Sequence, residues 1–69
     1  MTLGALLAVL NDVETVIIRY QNKNIFTGKV MDISQNLPLK YWFYDVTLVM
    51  ALDNQLFIEI IESWEEADE

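Results

Sequence analysis

Tyr41-Trp42-Phe43-Tyr44-Asp45-Val46-Thr47-Leu48-Val49-Met50-Ala51-Leu52-Asp53-Asn54-Gln55-Leu56-Phe57-Ile58-Glu59-Ile60-Ile61-Glu62 is the stretch on which the fold turns. Val46, Leu48, Met50 and Leu52 alternate with Asp45, Thr47, Val49 and Ala51; Leu56, Ile58 and Ile60 alternate with Phe57, Glu59 and Ile61. Period-two alternation predicts a β-hairpin with its turn at Asp53 and Asn54. Turn length sets the register, and a slip of one residue moves every side chain to the other face. A two-residue turn sets Leu48 against Glu59. A three-residue turn, Asp53 to Gln55, pairs Leu52 with Leu56, Met50 with Ile58 and Leu48 with Ile60. The three-residue turn is the expectation, because it gathers one continuous apolar face to bury. The other face keeps Val49, Ala51, Phe57 and Ile61, which places the hairpin centrally in its sheet or under cover on both sides.

Ahead of this hairpin the chain supplies something to bury it against. Thr2 is a candidate N-cap, and Leu3, Leu6, Leu7 and Leu10 follow at helical spacing. Gly4, Ala5, Ala8 and Val9 leave the opposite side without charge, which suits a core helix or a close helix pair across a dimer. After Asn11 and Asp12, Val13 to Tyr20 predicts a strand, Gln21 to Asn24 a turn, and Ile25 to Ile33 a second strand. Only an odd loop sets Val16 and Ile18 across from Phe26, Gly28 and Val30. Gly28 in mid-strand marks a bulge, a bend or a close neighbour, with the first helix the candidate neighbour. Ser34 to Lys40, with Pro38 between Leu37 and Leu39, predicts a loop with apolar anchors. The fold class is α+β: a short N-terminal helix on a small antiparallel sheet of about four strands in two hairpins, bent enough to be barrel-like. Residues 1–62 form one domain, and 63–69 an acidic tail in which Ser63-Trp64-Glu65-Glu66 fits a capping box for one helical turn.

A chain of 69 residues supports one domain and is marginal in stability. It has no cysteine and no histidine, so disulfides and the usual zinc sites are closed to it, as is histidine-assisted nucleophilic catalysis. Two glycines cannot make a phosphate loop, and Asp53-Asn54-Gln55 does not continue as a calcium loop. Glu59 and Glu62 could pair for acid–base work, but so small a domain has little room for a pocket. The expectation is no enzyme, no metal and no cofactor. A composition 54% hydrophobic, with mean hydropathy +0.25, leaves apolar surface over for a homodimer, a small homo-oligomer or another partner. Met1 to Leu10 has neither the basic start of an export signal nor the length to cross a bilayer, so a cytoplasmic protein without membrane attachment is expected.

The net charge of −7 is lopsided. Residues 1–40 hold four basic and three acidic side chains; residues 41–69 hold eight acidic and none basic. Such a surface repels phosphate, which speaks against direct nucleic-acid binding. Read as a strand, Tyr41 and Phe43 point one way and Trp42 and Tyr44 the other; the pattern fits a core holding both pairs, one pair left outward for protein binding, or one pair left outward for base stacking.

Helix, strand, turn and then Ile25-Phe26-Thr27-Gly28-Lys29-Val30 resembles the start of Sm-like small barrels over roughly residues 3–33. That likeness implies a self-assembling small barrel, although the RNA-holding loop residues of that family are not found here. The pattern from Leu3 to Val30 also resembles small accessory proteins of Gram-positive phages and mobile elements, some of which inhibit host defence, anti-CRISPR proteins among them. The functional expectation is a non-enzymatic acidic module that blocks a basic, nucleic-acid-binding surface of a host protein. Asp45, Glu59, Glu62, Glu65 and Glu66 would replace phosphates, and Trp42 and Tyr44 would fix the register. The alternative is a self-assembling structural module with Sm-like or SH3-like architecture.

Overall fold

The computed structural model describes residues 1–62; the helical turn expected at 63–66 lies outside the described residues. Thr2 caps helix α1 (Leu3–Leu7), its Oγ1 accepting from the Ala5 N–H at 3.2 Å. Leu3 and Leu7, one turn apart, are buried; Leu6 and Leu10 lie at the margin of the core. Ala5, Ala8 and Val9 are exposed, so the helix is covered on one flank and not all round.

Strands β1 (Thr15–Tyr20) and β2 (Lys23–Lys29) are joined by two left-handed residues, Gln21 (φ 52°) and Asn22 (φ 65°). A turn of this kind follows the twist of the strands it joins. The odd loop is therefore not found, but its effect is. Ile18 faces Phe26 while Arg19 faces Asn24, so Ile25 is an extra residue that restores the register, and Val16 lies opposite Gly28. Gly28 has φ 156°, and a methyl group there would stand 3.2 Å from Phe26 Cζ. Its close neighbour is thus the ring two residues back on the same face, not α1.

The second strand ends at Lys29 rather than Ile33. Val30 N–H donates to Glu14 O and Met31 N–H to Asp12 O, which turns the chain off the sheet. A 3₁₀ turn (Val30–Asp32), a one-turn helix α2 (Ile33–Asn36) and a second 3₁₀ segment (Leu39–Phe43) follow. Of the two leucines that flank Pro38, Leu37 is buried and Leu39 is 67% exposed, so one anchors and the other does not.

Strands β3 (Asp45–Leu52) and β4 (Gln55–Ile61) complete an open sheet in the order β2-β1-β4-β3. The α+β class is as read from the sequence, and each hairpin is antiparallel. The pair that joins them, β1 with β4, is parallel, so the sheet is mixed and is not closed into a barrel. The cause is the segment 30–44, which carries the chain back along the sheet so that β3 starts at the end where β2 started. A parallel pair needs a crossover of about a dozen residues or more, and this one is long enough.

The second hairpin takes the turn that the hydrophobic pattern disfavours. Asp53 (φ 51°) and Asn54 (φ 64°) form a two-residue left-handed turn, which pairs Leu52 with Gln55, Met50 with Phe57 and Leu48 with Glu59. A bulge at Thr47 then brings Val46 opposite Ile60. The expected apolar face is split as a result. Leu56, Ile58 and Ile60 lie on the helix side, level with Val16, Ile18 and Tyr20 of β1. Leu48, Met50 and Leu52 lie on the other side, 42%, 46% and 54% exposed. Side-chain burial on the two central strands and the geometry of the Asp53-Asn54 turn outweigh the patterning of an edge strand, whose apolar residues take the positions left over.

The core is Leu3, Leu7, Val16, Ile18, Phe26, Ile33, Leu37, Ile58 and Ile60, all in the layer between the helices and one sheet face. This register makes a stability test sharp: Ile58→Ala should cost about 2–5 kcal/mol, whereas Met50→Ala should cost less than about 1 kcal/mol, measured by urea unfolding. Equal costs would restore the three-residue turn. At the first turn, the double substitution Gln21→Asn/Asn22→Gly, which suits the left-handed geometry better, should raise the melting temperature by about 4–8 °C.

Candidate interaction surface

In a 3₁₀ segment residues three apart share a side, so the run Tyr41 to Tyr44 sorts differently from a strand. Tyr41 and Tyr44 turn together toward Tyr20, with ring centroids 5.1 Å apart from each other and 5.6 and 5.2 Å from Tyr20. Offset and edge-on rings at such distances attract beyond their buried area. Tyr20 Oη donates to Glu62 Oε1 at 2.6 Å, tying the end of β4 to this cluster. Lys40 Nζ stands 5.1 Å from the centre of the Tyr41 ring. Trp42 packs at the core margin beside Gly4, where a Cβ would meet Trp42 O at 3.2 Å. Trp42 and Tyr44 are therefore half-buried parts of the helix layer, and the outward aromatic is Phe43, 66% exposed. Strand periodicity hid this; the Pro38-Leu39-Lys40 start is the sequence signal that a helical turn could have been weighed.

Asp45 opens β3 opposite Ile61, Glu59 lies opposite Leu48 and beside Arg19, and Glu62 follows β4 directly. All three stand at one end of the sheet. Glu65 and Glu66 lie outside the described residues. A shallow cleft of about 160 Å³ opens among Tyr20, Asn22, Thr47, Glu59 and Ile61. It falls below the roughly 300 Å³ at which small-molecule sites begin. Thr47 Oγ1 donates to Glu59 O at 3.2 Å, which pins the bulge at this cleft.

Both helices and the segment with Trp42 pack on one side of the sheet, and the other side is bare among the described residues. Across β2, β1, β4 and β3 its rows read Lys29, Thr15, Gln55, Leu52; then Thr27, Ile17, Phe57, Met50; then Asn24, Arg19, Glu59, Leu48. Ile61 and Asp45 close the acidic end. The middle row is apolar from Ile17 outward to Met50, and none of Ile17, Leu48, Met50, Leu52, Phe57 and Ile61 belongs to the core cluster. Arg19 spreads over Phe57, its Cζ 5.5 Å from the ring centre, and one terminal nitrogen donates to Asn22 O at 3.1 Å. Its Nε is buried with no hydrogen-bond partner among the described residues. This surface is hidden from a reading that sets the register one residue off; Asp53-Asn54, two residue types that tolerate the left-handed region, is the sequence feature that permits the two-residue turn.

No helix of the described residues is long and apolar enough to cross a membrane. Among those residues no three His, Cys, Asp or Glu side chains lie together in a group that could hold a metal. Comparison with family models, with curated proteins and with solved structures finds no match to this chain.

The aromatic sorting is open to measurement. Trp42→Ala should lower stability by about 2–4 kcal/mol and Phe43→Ala by less than about 1 kcal/mol, read from denaturant midpoints; a strand arrangement of the run would reverse the order.

Proposed function

We infer that this chain is a non-enzymatic protein-binding module, and that it binds through the bare sheet face and its acidic end. One observation carries the reading: the apolar row of Ile17, Phe57 and Met50, flanked by Leu48, Leu52 and Ile61, on the sheet face that no described helix covers, where Leu48, Met50 and Leu52 are exposed and Arg19 lies across Phe57. Contiguous exposed apolar surface on a small domain is costly to keep and marks a place where something docks. The rim narrows the partner's chemistry. Asp45, Glu59 and Glu62 at one end call for lysine or arginine opposite them, and the sequence adds Glu65, Glu66, Asp68 and Glu69 directly after.

The partner is therefore a protein with an apolar patch bordered by basic residues, of the sort that grips nucleic acid. Filling such a groove with carboxylates is inhibition by phosphate replacement, and the leading specific form of the proposal is an anti-defence inhibitor of the phage and mobile-element type. Complementary charge would speed association and set orientation, while the apolar row supplies most of the affinity. Trp42 and Tyr44 drop out of the contact set because they serve the helix layer, and Phe57 and Met50 take their place.

The test uses the full chain as bait in its native host, with the captured protein then purified. Neutralising Asp45→Asn, Glu59→Gln and Glu62→Gln together should weaken binding on the order of tenfold at low salt and flatten its salt dependence. Duplex or single-stranded nucleic acid should compete for the same surface. Binding that is indifferent to both the triple variant and nucleic acid would remove the inhibitor reading.

A further inference from the structure

The two edges of the sheet are built differently. On β2 the outer strand carries Lys23 and Lys29 at its ends and a bulge at Ile25, features that discourage another strand from adding on. On β3 there is no charge from Val46 to Leu52, no proline and no bulge after Thr47. The first part of that edge is already taken by the chain itself. Leu3 N–H donates to Tyr44 O and Val46 N–H donates to Met1 O, both at 2.8 Å, with Thr2 bridged to Asp45. Residues 1–3 thus act as a stub of a fifth strand that stops at the bulge. Beyond it Leu48 to Leu52 form a slot of five residues with no strand paired to it among the described residues, roughly 17 Å long at about 3.4 Å per residue.

The backbone phase in the slot follows from the turn. Residues flanking a two-residue turn bond each other, so Leu52, and in phase with it Met50 and Leu48, direct their N–H and C=O toward β4. Val49 and Ala51 direct theirs outward. The outward N–H of Val46, two residues and one bulge earlier, agrees with this phase.

The geometry points to a second copy of this chain as the occupant: a two-fold dimer in which β3 pairs antiparallel with β3 of the partner, centred on Met50. In this register Val49 of each copy faces Ala51 of the other, and all four outward N–H groups find outward C=O groups. Leu48 faces Leu52 of the partner and Met50 faces its own counterpart, so the residues now exposed on the bare face meet across the join. A centre at Val49 would satisfy fewer groups and run Asp53 of the partner into the stretch of edge that residues 1–3 already occupy. The occupant is specified by two features. Pairing leaves the lysine-flanked β2 edges as the only open sheet edges among the described residues. And the antiparallel arrangement sends the two acidic ends, the main source of self-repulsion in a chain of charge −7, to opposite ends of the join. The dimer would be an eight-stranded sheet with the two bare faces continuous on one side.

Ten strand residues bury less than the roughly 800 Å² per partner of a tight complex, so a dissociation constant on the order of micromolar is expected. Sedimentation equilibrium of the full chain from about 1 to 200 μM should show a reversible shift from 8.0 kDa to twice that mass. The natural chain has no cysteine, so single cysteines read the register cleanly. Met50→Cys should form a disulfide dimer at least about tenfold faster than Val49→Cys under mild oxidation, since counterparts at a two-fold centre come within disulfide range. Val49→Lys, placed at a half-exposed position, should keep the circular dichroism of the parent and sediment as a monomer. A parent chain that is monomeric at 200 μM overturns the proposal, as do assemblies beyond a dimer, a Val49→Lys dimer, or equal cross-linking at the two positions. Val49→Lys leaves Asp45, Glu59 and Glu62 untouched, so partner capture by this variant is lost only if capture itself requires the dimer, and the two readings fail separately.

Discussion

Ile18 and Ile58 lie side by side on the two central strands, neither with any surface left to solvent, and every larger feature of the molecule follows from keeping them there. They belong to strands forty positions apart in sequence that run the same way. Antiparallel neighbours need only a tight turn, but this pair requires the chain to leave the sheet, cross its length and come back. The segment that makes the crossing also makes the second layer: Ile33 and Leu37 close the core from above, and Tyr41, Trp42 and Tyr44 extend it. Connection and cover are one structure here, which is how a chain of 69 residues obtains a core without disulfide or metal.

That economy has a cost on the far side. With all the described helical segments on one face, the other face carries whatever side chains the register puts there, and the register puts Ile17, Phe57 and Met50. Arg19 mitigates this by lying across Phe57, its methylene stem and guanidinium covering part of the ring while its charge stays near the surface.

Much of the fold was legible in the sequence. The Thr2 cap, the Leu3 and Leu7 stripe, the two hairpins and the common face of Val16, Ile18 and Phe26 all express local rules that tertiary contacts did not override. What was not legible depended on choices between local rules that conflict. Leu48, Met50 and Leu52 alternate well enough to look like core, yet the left-handed turn at Asp53 and Asn54 sets their register, and an edge strand can expose apolar residues where a central strand cannot. The aromatic run reads as strand by composition, since Tyr, Trp and Phe favour sheets, but the need to bring the chain from α2 back to the head of β3 bends it into a 3₁₀ segment. Asp45 and Glu59 lie on the bare face at the end of the sheet where β3 begins, Glu62 follows β4 at the same end but reaches Tyr20 on the helix side, and Trp42 and Tyr44 sort into the helix layer by period three rather than period two. The parallel centre of the sheet could not be read at all, because nothing local distinguishes a strand that will pair with its neighbour from one that will pair across the chain.

The position of β4 in the order of synthesis deserves a last consideration. It is an inner strand, yet every other described element precedes it. Until Gln55 to Ile61 has been made, β1 has an open inner edge lined by Val16 and Ile18, β3 has nothing to pair with, and the helices have only half a floor. The central contacts are therefore long-range ones that pay loop-closure entropy before they return any burial, the condition under which sheets form slowly. The nascent chain would pass through a period in which the β1–β2 hairpin and β3 are made while the strand that joins them is not, leaving the inner edge of β1 and the whole of β3 unpaired, a state open to encounters with chaperones or with other copies.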